Sequence, residues 1–132
     1  MKNKSFTTAE VGKFGEKACA RFLKKAGYKI LEKNCRIGRL EADVIATNKT
    51  HLLFVEVKTR RTDLKSSARP ATAVNRDKKE NLIAFSRAYV KSLSNKHKEK
   101  QIRIDVCEIL IHQEGKRLKL NSINYIENAI SR

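Results

Sequence analysis

Glu56 and Lys58 stand two residues apart in the run Phe54-Val55-Glu56-Val57-Lys58. On a β-strand successive side chains alternate, so both project from one face and Val55 and Val57 from the other. A carboxylate and an ammonium on so apolar a strand are costly unless paired or put to use. Asp43 precedes Glu56 with twelve residues between them. The segments 41–46 and 51–58 both read as strands, with Thr47-Asn48-Lys49-Thr50 as the turn of a hairpin. Such a hairpin brings Asp43 toward Glu56. Two converging carboxylates repel each other, and a hard cation such as Mg²⁺ relieves that repulsion. A metal held there can activate water and bind a phosphate oxygen, and a neighbouring lysine can orient the nucleophile or stabilise developing charge. The pattern suits in-line hydrolysis of a phosphodiester. Read by themselves, without Asp43, Glu56 and Lys58 are an exposed ion pair.

The charge balance supports a polyanionic partner. Thirty Lys and Arg against fourteen Asp and Glu give a formal charge of +16 in 132 residues. A field of that size attracts polyanions, nucleic acid foremost. No basic helix with a bulky apolar face suggests membrane adsorption, no apolar run approaches a membrane span, and no apolar stretch follows the N-terminal lysines as in a signal peptide. A cytoplasmic protein is expected. Cys19, Cys35 and Cys107 are too few and too widely spaced for a disulfide framework or a zinc site and read as reduced thiols. His51, His97 and His112 are scattered and read as surface residues.

The elements that must position these residues follow from periodicity. Residues 1–6 read as a loose basic arm. Thr7-Thr8-Ala9-Glu10 fits a capping box, and Val11, Phe14, Ala18, Phe22 and Ala26 then form a helical stripe that Gly27 closes. A strand is expected over 28–33 and a basic connection over 34–40. After the hairpin, 59–75 reads as a long polar loop, either functional or disordered. A second helix is expected over 76–94, a basic link up to residue 100, a strand over 101–112, a short strand near 117–120, and a final helical turn from Ser122 or Asn124 to Ile130. The order predicts one α/β domain, a sandwich around a mixed sheet.

Asp43 followed by Glu56-x-Lys58 on a hairpin resembles the PD-(D/E)xK, or restriction-endonuclease-like, superfamily, and the chain more closely resembles the YraN family of small bacterial proteins. The resemblance covers residues 12 to 130. It is carried by Gly12-Lys13-Phe14-Gly15-Glu16-Lys17-Ala18, Glu41-Ala42-Asp43-Val44-Ile45-Ala46, Phe54-Val55-Glu56-Val57-Lys58-Thr59-Arg60, Val74 with Lys78 and Leu82, Arg103-Ile104-Asp105-Val106, and Ile126-Glu127-Asn128-Ala129. One departure is Leu40, where the family usually has glycine. The resemblance implies a restriction-endonuclease-like three-layer sandwich, with a mixed central sheet flanked by helices. It implies Mg²⁺ or Mn²⁺ held by Asp43 and Glu56, Lys58 as catalytic lysine, Glu16 as a supporting carboxylate on the first helix, and Lys78 as a further site lysine. It implies a nucleic-acid substrate, DNA by preference, and by analogy with related resolvases a homodimer.

Several residues keep two readings. Arg60, Arg61, Lys65, Arg69, Arg76 and Lys79 surround the site in sequence and read as phosphate contacts or as a solvated charge run. Lys78 reads likewise as a phosphate contact or an exposed lysine. Glu41 shares the face of Asp43 and either assists the metal or faces solvent. Asp105 beside Arg103 reads as a structural ion pair. The function expected is a metal-dependent endonuclease; the alternative is a binding module of the same fold that does not cut.

Overall fold

The computed structural model describes residues 5–64, 76–93 and 95–129. Eight elements follow in the order α1 (Thr8–Lys25), β1 (Lys29–Ile37), β2 (Leu40–Thr47), β3 (His51–Arg61), α2 (Arg76–Ser92), the single turn α3 (Asn95–Lys98), β4 (Gln101–Glu114) and β5 (Arg117–Ile126). The strands form one sheet in sequence order. β3 and β4 are parallel and the other pairs antiparallel, so the sheet is mixed. A parallel pair needs a long crossover, and the segment containing α2 supplies it.

Alternation along the central strands builds a core on each face. Leu52, Phe54 and Ile104 pack with Leu82, Phe85 and Tyr89 of α2. Leu53, Val55, Cys107 and Ile109 pack with Cys19 and Leu23 of α1. The result is the α/β sandwich the periodicity predicts, one long helix on each side of a mixed sheet. Cys19 and Cys107 are wholly buried thiols and Cys35 is partly buried. Among the described residues, no helix is long and apolar enough to cross a membrane.

The start of α1 matches its capping signal. Thr7 Oγ1 accepts from the Glu10 amide at 3.1 Å and Glu10 Oε1 from the Thr7 amide at 3.0 Å. These bonds satisfy two N–H groups that the first turn otherwise leaves without partners. The helix ends at Lys25, and Gly27 takes φ +95° beyond it.

Four segments differ from the expectation. The connection over 34–40 is mostly strand: Cys35, Arg36 and Ile37 pair with Ala42, Glu41 and Leu40, leaving only Gly38-Arg39 as the turn. Gly38 at φ +61° carries the strained angle of this tight hairpin, so Leu40 needs no unusual backbone. β3 continues through Thr59, Arg60 and Arg61, which pair with Ile109, Leu110 and Ile111 and shorten the expected loop. Among the described residues the expected final helical turn is replaced by strand: Ser122, Ile123 and Asn124 belong to β5 and pair with Leu110, Ile109 and Glu108. β4 is fourteen residues long, and a partner along its outer edge satisfies backbone groups that a helix there would leave bare. The helical turn Asn95–Lys98 interrupts the expected basic link. Lys65, Arg69 and most of the 59–75 segment lie outside the described residues.

Candidate active site

β2 and β3 keep their ladder from Thr47↔Leu52 to Val44↔Val55. Just beyond it, the Val57 amide donates to Asp43 Oδ2 at 2.8 Å. The Asp43 carboxylate thus stands between the two strands, beside Glu56. This point opens into a cleft of about 360 Å³. Its walls include Glu16 of α1, Arg39 of the β1–β2 turn, Glu41 and Asp43 of β2, Glu56 of β3 and Lys78 of α2.

α1 reaches the cleft because residue 15 is glycine. A Cβ built on Gly15 would stand 1.7 Å from Thr59 Oγ1 and 2.9 Å from Thr59 Cβ. The helix therefore lies directly on β3, which carries the next residue, Glu16, to the cleft. Asn34 Nδ2 donates to Glu16 Oε1 at 2.8 Å and fixes the carboxylate's direction. Asn34 adopts φ +51° to do so, an angle asparagine tolerates better than most residues. Gly15→Ala forces α1 off β3 and is expected to cost roughly 1–3 kcal/mol. Urea unfolding checks this, and a variant as stable as wild type refutes the close contact.

The electrostatics are those of crowded carboxylates met by lysines. Burial pushes the Asp43 carboxyl up to about 7, Glu56 and Glu16 add repulsion, and the Val57 amide pulls the other way. Glu56 Oε1 faces Lys78 Nζ at 3.0 Å and Lys58 Nζ at 3.7 Å. The Lys58 ammonium is pushed down, first by burial and then by the bond and charge of Lys78. For Lys78 burial also acts downward, but contacts with Lys58 and Glu56 outweigh it and the shift is upward.

The donor set fits a hard divalent cation. Among the described residues no group of three or more His, Cys, Asp or Glu is arranged around one point as a closed metal cage. Mg²⁺ does not require one, since it is commonly held by one or two carboxylates with water and substrate phosphate completing its shell. Asp43 and Glu56 supply that pair, with Glu16 close enough to raise Asp43.

The expected site residues thus divide. Asp43, Glu56, Lys58, Glu16 and Lys78 come together. Glu41 lines the cleft and pairs with Arg36 at 3.3 Å. Arg60 and Arg61 do not present free guanidinium groups to a phosphate. Arg60 faces Glu108 Oε2 at 2.6 Å, and Arg61 forks onto Asp63 at 2.9 and 2.8 Å. Arg61 also holds the Asp63 carboxyl well below the usual range. Arg76 opens α2. Asp105 is the structural pair expected of it, bound by Arg103. Of the cleft residues, Arg39 and Asn81 are absent from the sequence reading. A basic connection over 34–40 does not single out Arg39; Gly38 beside it is the sign of a tight turn.

The family model described as the uncharacterised protein family UPF0102 matches residues 15–109. That span holds Gly15, Glu16, Asp43, Glu56, Lys58 and Lys78. A UPF0102 protein of Caldanaerobacter subterraneus subsp. tengcongensis is 40% identical over 121 residues, covering 90% of this chain and 93% of the relative. One of Clostridium acetobutylicum is 38% identical, covering 91% and 93%. One of Dehalococcoides mccartyi is 34% identical, covering 96% and 97%. With the profile match and near end-to-end relatives in agreement, the chain belongs to the UPF0102, or YraN, family.

Proposed function

We propose that this protein is a divalent-metal-dependent nuclease that hydrolyses phosphodiester bonds, in DNA by preference. The observation that carries the reading is the convergence of Asp43, Glu56 and Glu16 at one cleft, with Lys58 Nζ 3.7 Å from Glu56, in a chain of charge +16. Asp43 and Glu56 would hold Mg²⁺ or Mn²⁺. The ion would supply a water of lowered pKa and charge stabilisation at the phosphate. Lys58, beside Glu56, would orient the attacking water or meet charge on the phosphate as it develops. Glu16, oriented by Asn34, adds negative potential that favours the cation. Arg39 lines the cleft, has no carboxylate partner among the described residues and would hold a flanking phosphate. Arg60 and Arg61 act on this reading as supports of β3.

The test is cleavage of end-labelled single-stranded, duplex and branched DNA with Mg²⁺ or Mn²⁺. Wild type is expected to cut at least one of these. Asp43→Ala and Lys58→Ala are expected to lower the rate by two to four orders of magnitude, as roughly 10²–10⁴ is the usual contribution of such groups. No cutting by wild type, or equal cutting by the variants, refutes the reading.

One observation favours a second reading, binding without cleavage. The Lys78 ammonium already occupies Glu56 Oε1 at 3.0 Å, where a metal would draw on the same lone pairs. If Lys78 is a displaceable stand-in, Lys78→Met is expected to tighten Mn²⁺ binding several-fold in calorimetry. If Lys78→Met does not bind Mn²⁺ either, the cleft is a phosphate-binding site without metal.

A further inference from the structure

Across α1 from the cleft lies an open groove between that helix and the β4–β5 hairpin. It is lined by Phe6, Lys13, Phe14 and Lys17 on one side and by Lys116 and Arg117 on the other. At 100° per residue, Lys13, Phe14 and Lys17 fall within one arc of α1, centred roughly 130° round the helix from Gly12 and Glu16, which line the cleft. The helix therefore presents a carboxylate to the cleft and two ammonium groups to the groove. The four cations are exposed and none forms an ion pair with a described residue. The one carboxylate of the groove, Glu10, is tied to the Thr7 amide by the capping box. Two half-buried phenylalanines lie among these charges.

We propose that this groove binds an unpaired nucleic-acid strand, with the cations on its phosphates and Phe14 against a base. Charge complementarity excludes a basic partner. An aromatic face among cations suits a chain whose bases are exposed, because a duplex keeps its base faces stacked inside. An α-helix with its side chains is about 10–12 Å across. A strand leaving the cleft therefore reaches the groove within a few nucleotides. This connection rests on the nuclease reading, and it specifies that substrate as one with a single-stranded flank.

The experiment is fluorescence anisotropy of a labelled 12-nucleotide oligothymidylate in EDTA, titrated at several salt concentrations. Lys13→Ala/Lys17→Ala/Arg117→Ala is expected to weaken binding at least tenfold. It should reduce the salt slope by about 2, at roughly 0.7 per lost phosphate contact on a single strand. Phe14→Leu, which keeps an apolar side chain packed on the core beneath α1, is expected to weaken binding about threefold or more with the slope unchanged. Binding at wild-type strength in both variants overturns the proposal. So does competition by a 12-base-pair duplex or by polyglutamate as effective as that by unlabelled oligothymidylate. The nuclease reading fails separately. A wild type that binds the strand through the groove but never cuts leaves the groove standing, whereas a groove variant that cuts flanked substrates with unchanged KM removes the groove alone.

Discussion

Replacing Asp43 by asparagine is expected to raise the stability of the metal-free protein at pH 8 while abolishing cleavage. The carboxyl is pushed up to about 7, chiefly by burial and then by Glu56 and Glu16. Its unfolded-state value is the ordinary one, 3.8. The folded protein thus holds the proton more tightly, and between these two values it binds more protons than the unfolded chain. Stability must therefore fall as pH rises from about 4 to about 7, and the full cost persists above 7. A shift of this size corresponds to a few kcal/mol, on the order of 2–4. Asparagine removes the charge yet keeps an oxygen to accept from the Val57 amide, so the local backbone has no reason to change. Thermal unfolding at pH 5 and pH 8 measures the effect: the gain should be small at the lower pH and on the order of 10 °C at the higher. A variant less stable than wild type at pH 8 contradicts it. A site that destabilises its own fold in this way is what stored electrostatic repulsion for a cation predicts.

Asp105 carries the opposite expectation. Its side chain is 0% exposed on β4 and its acceptors are all used. It accepts from Arg103 Nε at 3.0 Å, from Tyr125 Oη at 2.6 Å and from the Asn128 amide at 2.7 Å. The carboxylate thereby ties β4 to β5 and to the turn beyond it. Asp105→Ala removes the acceptor of the Tyr125 hydroxyl and the Asn128 amide and leaves the largely buried Arg103 guanidinium with only Glu127 at 3.5 Å and Tyr28 at 3.3 Å. Removing one partner of such a set costs about 3–5 kcal/mol. The urea midpoint should fall accordingly, while Mn²⁺ affinity of the folded fraction stays within a factor of two. A mild loss of stability, or a selective loss of metal binding, contradicts the assignment of Asp105 as structural.

These two aspartates show how far sequence could separate roles. Asp43 and Glu56-x-Lys58 were legible because period-2 geometry and a short hairpin leave few ways to arrange them. Asp105 was legible through Arg103 two residues away on the same strand face. Helix α1 was legible from its capping box and apolar stripe, down to its first residue. Other features depend on partners distant in sequence. That Arg60 and Arg61 are already engaged, by Glu108 and Asp63, is settled by where β4 and the end of β3 lie. That Gly15 must be glycine is settled by Thr59, forty-four residues away. The last segment, Asn121-Ser122-Ile123-Asn124-Tyr125-Ile126, suits helix and strand about equally by itself, and the long outer edge of β4 decides for strand. Arg39 became visible only once the two-residue turn at Gly38 placed it on the cleft rim.

The central claim is that Asp43 and Glu56 form a divalent-cation site for phosphodiester chemistry. Calorimetric titration of the metal-free protein with Mn²⁺ at pH 8 tests it most directly. Saturable binding near one ion per chain is predicted for wild type, with at least tenfold weaker binding for Glu56→Ala and for Asp43→Asn. No saturable binding by wild type, or equal binding by all three proteins, contradicts it.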